Sequence, residues 1–311
     1  MGLDPAQGYK TRRGKMLIGT AEDILRSPAA KRYKGKIQLV FTSPPFPLNR
    51  KKKYGNHQGE RYVEWLGDMA LLLKEYLTEN GSIVMEMGNA WQPGAPVMST
   101  LALRSLLAFQ DKANLHLCQQ FICYNPARLP GPAQWVTVER VRVKDSFTHV
   151  WWMSPNERPK ADNRRVLKAY SKAMLQLLAT KKYNAGKRPS EHSIGAKSFL
   201  KNNEGAIPSN VLTLSNTRTN DQYQLYCRTH GLQVHPARMQ MDLADFFIKF
   251  LTEPGDLVLD PFAGSNTTGA SAERLKRRWI SIEPNQEYVK GSYGRFAEEN
   301  ENKKYDDAKF I

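Results

Sequence analysis

Residues 42–46, TSPPF, combine side chains and backbone groups that could do chemistry at the end of an apolar run. Neither proline has an N–H, both fix φ, and Ser43 before them is disfavoured in the helical region. The carbonyl of Pro44 therefore has no helix or sheet hydrogen bond to join. This pattern predicts that the Pro44 carbonyl points at a bound group. A strongly basic run, Arg50 to Lys53, follows a few residues later.

A second stretch, DPFAGSNTTG at 260–269, leaves the apolar run LVLD and opens a predicted helix. Gly264 and Gly269 permit a tight turn and close backbone approach. The amides of residues 265–268 would lie at a helix N-terminus, which attracts anions. About 20 residues later the next predicted strand ends in Glu283, well placed for two ribose hydroxyls. The combination predicts a ligand that has both an anionic group and a nucleoside.

Alternating strands and helices must position these two stretches. Strands are predicted at 36–42, 79–88, 118–126 and 147–154, and helices at 61–77, 99–117 and 241–256. A strand, a glycine-containing loop, a helix and a further strand follow after residue 256. This alternation predicts an α/β protein with a parallel sheet.

The position of the glycine loop near the C-terminus indicates a permuted order. Only 42 residues follow Gly269, which suffices for a helix, a strand and a second helix. A doubly wound sheet needs more strands than that, so the others must precede residue 260. The nucleotide-binding half therefore comes last and the TSPPF half comes first.

The net charge of +16, from 46 Lys and Arg against 30 Asp and Glu, indicates a polyanionic partner, most often nucleic acid. Residues 154–234 hold 14 basic against 5 acidic residues and lack strong hydrophobic periodicity. We therefore expect three regions: a catalytic half at 1–153, an inserted basic region at 154–234, and a cofactor-binding half at 235–311.

Several other classes of protein are disfavoured by the sequence. It has no apolar run of 18 residues and no signal-peptide pattern, so we expect a cytoplasmic protein without a membrane partner. Its three cysteines form no CxxC pair, and its six histidines have no ligand spacing, so neither disulfides nor a metal are expected.

TSPPF together with DPFAGSNTTG resembles the S-adenosylmethionine-dependent amino methyltransferases of DNA, and the motif order resembles their beta class. The serine of SPPF is similar to the cytosine-N4 branch, because the adenine-N6 branch usually carries aspartate there. Segments 50–56, 124–152 and 215–239 also resemble the cytosine-N4 enzymes of bacterial restriction–modification systems. The resemblance spans about residues 16–296. It implies a Rossmann-like methyltransferase sheet with helices on both faces, plus a smaller basic target-recognition region.

The resemblance also implies roles for individual residues. Ser43 and Pro44 would accept hydrogen bonds from the amine of the flipped base, Pro45 would keep the turn rigid, and Phe46 would stack on the base. The cofactor would be S-adenosylmethionine, and the residues implied to bind it are Asp260, Phe262, Gly264, Ser265, Asn266, Thr267, Thr268 and, at the ribose, Glu283. Thr20 stands where the family usually has an aspartate near the adenine, with Asp23 as an alternative. We expect Arg50, Lys51, Lys52 and Lys53 to hold DNA phosphates.

These residue types suit methylation of an exocyclic amine. The lone pair of such an amine is delocalised into the ring, and two acceptors that hold both N–H bonds out of the ring plane would free it. Methylation of a ring carbon would instead need a cysteine, usually in a Pro-Cys pair, which this sequence lacks. The implied function is site-specific transfer of a methyl group to N4 of a flipped cytosine in duplex DNA, which would protect that DNA from a cognate restriction endonuclease.

Two alternatives stay open from the sequence. The first is the same enzyme acting on adenine N6, because a serine in place of aspartate is suggestive only. The second is a DNA-binding relative that has lost catalysis. The intact 43–46 motif and glycine loop weigh against the second, since a binding module needs neither.

Overall fold

The computed structural model describes residues 6–46, 59–214 and 221–296. The strands are β1 (Ala6–Lys10), β2 (Gly14–Ile18), β3 (Ile37–Thr42), β4 (Leu77–Gly88), β5 (His116–Tyr124), β6 (Phe147–Ser154), β7 (Gly186–Lys187), β8 (Ser193–Ile194), β9 (Val211–Thr213), β10 (Leu257–Asp260) and β11 (Arg278–Glu283). The α-helices are α1 (Ala21–Arg26), α2 (Glu60–Lys74), α3 (Leu101–Ala113), α4 (Lys172–Thr180), α5 (Gln222–Thr229), α6 (Met241–Leu251), α7 (Thr267–Arg274) and α8 (Gln286–Ser292). Short 3-10 turns occupy Pro28–Tyr33, Asn163–Val166 and Tyr293–Phe296.

The chain divides into two compact units, and the larger one consists of Met1–Ala161 with Asn210–Ile311. Its centre is a nine-stranded sheet in the order β1-β2-β11-β10-β3-β4-β6-β5-β9. The five strands β2, β11, β10, β3 and β4 run parallel to one another. The late strand β10 lies beside the early strand β3. The sheet therefore combines strands from both ends of the chain, as the predicted permuted order requires.

The central strands are buried because helices cover both faces of the sheet. All six residues of β3 and all four of β10 are buried, as expected of parallel strands covered on both sides. On one face, α1, α2 and α3 pack on a cluster that includes Val40, Met85 and Leu259. On the other face, Phe247 of α6 stacks on Phe41 with ring centroids 5.6 Å apart.

The sheet is mixed: it is parallel through its five central strands and again where β9 pairs with β5 at the edge, and antiparallel elsewhere. Strand β6 pairs antiparallel with both β4 and β5, and β1 pairs antiparallel with β2. A parallel neighbour needs a crossover, usually a helix. The chain between β5 and β6 has no α-helix, so β6 returns directly alongside β5.

The predicted helices exist but are shorter than their apolar patterns. The pattern at 99–117 gives α3 only to Ala113, because Asn114 takes a left-handed conformation (φ 46°) that caps the helix. Residues 116 and 117 already belong to β5. The pattern at 241–256 gives α6 only to Leu251, and its last residues turn toward β10.

The second compact unit is Asp162–Ser209, which carries α4, β7 and β8. Strands β7 and β8 form an antiparallel pair, and Lys168 and Ala206 are joined by two backbone hydrogen bonds. The unit holds 10 basic and 3 acidic residues. None of the helix residues of α4 is buried, so this unit has little core of its own.

This unit is smaller than the basic region expected at 154–234. Residues up to Ala161 and from Asn210 onward belong to the sheet unit. Ser154 is buried and donates to the carbonyl of Gly81 at 2.8 Å, and β9 pairs with β5. Tyr223 is also fully buried. These attachments join distant parts of the chain, so sequence periodicity does not show them.

Two further expectations concern membranes and metals. No helix among the described residues is long and apolar enough to cross a membrane. In the same part of the chain, no group of three His, Cys, Asp or Glu side chains is placed to hold a metal ion.

Candidate active site

The sheet register brings the two sequence motifs to one place. Strands β3 and β10 are parallel neighbours, with Leu39 opposite Val258 and Val40 opposite Leu259. The chain that leaves each strand at its carboxyl end therefore emerges beside the other. Both stretches line one cavity, whose walls are Ser43, Pro44, Pro45, Phe46, His235, Ala237, Met239, Asp260, Phe262, Ala263, Gly264, Ser265, Thr267, Thr268, Glu283, Pro284 and Tyr288.

The Ser43–Phe46 segment supplies one wall of this cavity. Thr42, just before it, donates its hydroxyl to Asp260 Oδ1 at 2.7 Å and so fastens the end of β3 to the end of β10. Neither the Ser43 hydroxyl nor the Pro44 carbonyl has a hydrogen-bond partner among the described residues. Two acceptors that have no partner in the described part of the chain can serve a donor on a ligand.

Asp260 organises the start of the glycine loop. Besides the Thr42 hydroxyl, its carboxyl group accepts the Thr268 hydroxyl at 2.7 Å and the Phe262 amide at 3.1 Å. Burial raises the pKa of Asp260 to about 6, although the three hydrogen bonds oppose that shift. The Asp260 carboxyl group is therefore held in place in the cavity wall by neutral hydrogen-bond donors, and no cation among the described residues compensates its charge.

Glu283 connects the glycine loop to the end of β11. Its Oε2 accepts the Gly264 amide and its Oε1 accepts the Asn285 amide, each at 2.9 Å. Burial is the largest influence on its pKa and raises it above the ordinary value. Each carboxylate oxygen has two lone pairs, so both retain capacity for a ligand hydroxyl.

The loop itself depends on two backbone positions with positive φ. Gly264 has φ 50°, and a Cβ there would lie 3.0 Å from Nε2 of His235. Asn266 has φ 55°, and its side chain caps α7 by accepting the Gly269 amide at 3.1 Å. The turn thus opens α7 with Ser265 and Thr267 facing the cavity.

Asn266 is not among the cavity-lining residues, although the resemblance implied a cofactor contact for it. Its side chain is fully buried, donates to the Tyr9 hydroxyl at 2.8 Å and accepts the Ser281 hydroxyl at 2.7 Å. It therefore supports the loop from the side away from the cavity.

Thr20 and Asp23 also lie outside the cavity lining. The Thr20 hydroxyl donates to Asp23 Oδ2 at 2.7 Å and accepts the Asp23 amide, so the two residues cap α1 together. Their turn nevertheless approaches the site, because the Gly19 amide donates to the Glu283 carbonyl at 3.2 Å. Arg50, Lys51, Lys52 and Lys53 fall outside the described residues.

Residues 235–239, which the family resemblance places next to the cofactor pocket, and residues 284–288, which no motif predicted, complete the cavity. The His235 ring meets Tyr288 edge-on, with centroids 4.5 Å apart, and the His235 amide donates to the Tyr223 hydroxyl at 2.8 Å. Asn285 caps α8, which places Tyr288 one turn into that helix. The sequence signal for this wall was Asn285, because asparagine is favoured at the N-cap of a helix and this one follows shortly after Glu283 at the end of β11.

A buried arginine outside the motifs holds the glycine loop. Arg295 donates from Nε to the Ser265 carbonyl at 2.6 Å and from Nη2 to the Ser265 hydroxyl at 3.0 Å. Its Nη1 lies 3.8 Å from Asp221, to which Arg238 also donates at 3.2 Å. No pattern in the sequence links residue 295 to residue 265.

Comparison with known proteins identifies the family. The sequence profile of a family described as DNA methylase matches residues 37–294. The chain is 44% identical over 301 residues to the Type II methyltransferase M.PvuII of Proteus hauseri, which covers 96% of this chain and 88% of that protein. It is 26% identical over 263 residues to the Type II methyltransferase M.BglII of Bacillus subtilis, covering 83% of this chain and 62% of that protein.

Solved structures agree with these matches. A PvuII DNA methyltransferase described as cytosine-N4-specific superposes with a TM-score of 0.75 at 38% identity, covering 94% of this chain and 89% of that one. The M1.HpyAVI–SAM complex shares the fold, with a TM-score of 0.53 at 16% identity over 91% of this chain and 98% of that one. The expected resemblance and fold class are thereby confirmed, and the chain belongs to the DNA methylase family.

Proposed function

We propose that this protein transfers the methyl group of S-adenosylmethionine to the exocyclic N4 amine of a cytosine extruded from duplex DNA. The observation that carries this proposal is the pair of acceptors Ser43 Oγ and Pro44 O, which have no hydrogen-bond partner among the described residues and line the same cavity as the glycine loop. The 38% identical PvuII structure, described as cytosine-N4-specific, supports the choice of base.

The cavity fits S-adenosylmethionine, which when bound supplies an electrophilic methyl group on a positively charged sulfur. Asp260 and Glu283 provide carboxyl groups whose pKa values are raised by burial, and a nearby cation would lower them again. Phe262 adds an apolar wall, and the start of α7 at Thr267 offers amides to a carboxylate. Glu283 at the end of β11 is the residue we assign to the ribose hydroxyls.

The residues at the end of β3 would prepare the amine. Ser43 Oγ and Pro44 O would each accept one N–H of the base, which holds both bonds out of the ring plane and frees the nitrogen lone pair. Phe46 would stack on the extruded base, and Pro45 limits the motion of the turn. The protein would thus act mainly by positioning, and it needs no covalent intermediate.

Contacts to the duplex form a further part of the proposal. The run Arg50 to Lys53 would hold phosphates beside the site. Residues 154–234 would serve target recognition between the two methyltransferase halves 1–153 and 235–311, and the 10 basic residues of Asp162–Ser209 support this. A cytoplasmic location and protection of the DNA from a cognate restriction endonuclease complete the proposal.

The first test identifies the methylated base. The protein is incubated with mixed-sequence duplex DNA and S-adenosylmethionine, the DNA is digested to nucleosides, and these are analysed by mass spectrometry. N4-methylcytosine is the expected product. N6-methyladenine would retain the mechanism but contradict the choice of base, and no methylated base despite cofactor binding would contradict the proposal.

Ser43→Ala tests the assignment of the acceptor. Loss of one fixed hydrogen-bonding group at a reacting centre typically costs roughly 10²-fold in rate, so we expect that loss with cofactor affinity unchanged. Thr229→Ala is the matched control, because the Thr229 hydroxyl donates to the backbone carbonyl of Leu225 in its own helix and lies outside the cavity lining. Wild-type turnover by Ser43→Ala would overturn the assignment.

A further inference from the structure

The chain between β5 and β6, residues 125–146, is called here the β5–β6 connection. It leaves β5 at Tyr124 and enters β6 at Phe147, and these two residues are paired. The next residue, Thr148, is paired with Gly88 at the end of β4, and the Phe46 ring packs against Gly88. The connection therefore emerges from the same edge of the sheet as the active-site cavity.

This connection exposes four large apolar side chains. Leu129 and Val143 are 83% and 86% exposed, the highest values for any large hydrophobic side chain among the described residues. Val138 and Val141 are also exposed. Single exposed apolar side chains are ordinary, but a group of them in one short segment indicates an interaction site.

The connection is held in place by specific contacts. The guanidinium of Arg142 lies 3.9 Å from the ring centroid of Trp91, and its Nη1 donates to the Pro96 carbonyl at 2.9 Å. Lys144 Nζ donates to the carbonyls of Pro126 and Arg128 at 3.0 and 3.2 Å. The Lys144 bonds join the two halves of the connection, and Leu129 and Val143 are the sequence neighbours of the bonded residues Arg128 and Lys144.

The charges of the connection suit a polyanion. It carries the cations Arg128, Arg140, Arg142 and Lys144 and the carboxylates Glu139 and Asp145. None of the four cations forms a salt bridge within the part of the chain that the structure describes. Arg142 and Lys144 donate to backbone carbonyls, which leaves their charge uncompensated, whereas Arg128 donates to the Phe147 carbonyl and also acts electrostatically on the Glu86 carboxyl.

Cations with exposed apolar side chains between them fit one partner in particular, which is duplex DNA with an extruded base. Cations hold phosphates, and apolar side chains are inserted where bases are unstacked. We propose that the β5–β6 connection contacts the duplex beside the extruded cytosine, with its cations on the phosphates and Leu129 and Val143 against the bases left behind. This inference rests on the proposed function and adds the element that stabilises the extruded state.

The test compares two substrates that carry the target sequence found by mapping the methylated base. One is fully paired, and in the other the target cytosine faces an abasic site, so that extrusion costs less. For the double variant Leu129→Ser, Val143→Ser we expect kcat/KM to fall about tenfold on the paired duplex and to stay within twofold of wild type on the abasic one. Leu107→Ser, an exposed leucine on α3, should match wild type on both.

The cations have a different signature. Arg140→Gln should weaken binding to both substrates alike and reduce the slope of log K against log salt by about 1.

Wild-type kinetics of the double variant on the paired duplex, or equal losses on both substrates, would overturn the proposal. If wild type methylates no cytosine, the proposed function fails by itself. In that case the affinities of wild type and the double variant for the two duplexes are compared instead. A loss of affinity confined to the paired duplex supports the contact surface, and equal losses or no loss overturn it.

Discussion

The backbone of Gly88 lies directly against the ring of Phe46, and a Cβ built on Gly88 would lie 2.5 Å from Cε2 of that ring. Gly88 is the last residue of β4, and Phe46 follows β3, the strand paired with it. No side chain fits at that distance, so the position of the proposed stacking ring depends on the absence of a side chain at residue 88.

Gly88→Ala should displace the Phe46 ring without affecting the cofactor wall. A misplacement of about 1 Å at a reacting centre can cost about 10²-fold, so we expect a loss of that order in kcat with DNA. Cofactor affinity, measured by calorimetry, should stay within twofold. Gly67→Ala is the control, because its new Cβ would lie 3.0 Å from Cδ of the flexible Lys112 side chain and in ordinary contact, at 3.6 Å, with the Ala108 carbonyl. Full activity of Gly88→Ala would show that the ring position does not limit the reaction.

The sequence allowed the two stretches that line the cavity to be located because they are local patterns. Apolar runs of four to six residues identified β3 and β10, and each chemical motif follows its strand directly, so the parallel register placed Ser43 beside Gly264. The glycine loop was also readable, since Gly264 does need a positive φ.

What could not be predicted depends on contacts between distant residues. Asn266 belongs to the glycine loop by motif, but its partner Tyr9 is 257 positions away and turns its side chain from the cavity. Arg295 bonds Ser265 from the last described turn of the chain. The attachment of residues 210–214 and 221–234 to the sheet unit likewise depends on strand pairing and burial that no local period reveals.

The basic run after TSPPF should contribute to the salt dependence of DNA binding. If Lys51, Lys52 and Lys53 each neutralise one phosphate, replacing all three by Gln should reduce the slope of log K against log salt by about 2 to 3. Fluorescence anisotropy with duplex DNA over a salt series measures this slope. Cofactor affinity serves as the internal control and should not change. An unaltered slope would mean that these lysines do not contact phosphates.

Arg295 should be a positioning residue for the glycine loop. Its side chain is 7% exposed and makes two hydrogen bonds to Ser265, which lines the cavity. Arg295→Gln breaks a buried charged network with Asp221, so we expect the free energy of unfolding to fall by about 3 kcal/mol. Urea unfolding measures this, and calorimetry should show cofactor affinity reduced about tenfold because Ser265 is less fixed.

Two further variants separate charge from geometry at this position. Arg295→Lys keeps the charge but cannot make both bonds to Ser265, so its cofactor affinity should be intermediate. Arg104→Gln removes a surface partner of Glu60 and should change stability by only about 0–1 kcal/mol. An Arg295→Gln variant that behaves like Arg104→Gln in both measurements would refute the role.

Asp260 should make cofactor binding depend on pH. The pKa of Asp260 is about 6 in the folded protein and about 4 in the unfolded chain. Between these two values the folded state binds more protons than the unfolded state, so Asp260 lowers the free energy of unfolding as the pH rises through this range. A bound cation favours the ionised form, so S-adenosylmethionine should bind about tenfold more tightly at pH 7 than at pH 5. Glu283, whose pKa is also raised, should act in the same direction.

Calorimetry across this range measures the effect. Asp260→Asn should flatten most of it; the amide oxygen can still accept the Thr42 hydroxyl, and the amide nitrogen can donate to the Thr268 hydroxyl. A wild-type affinity equal at pH 5 and pH 7 would contradict a charged role for Asp260.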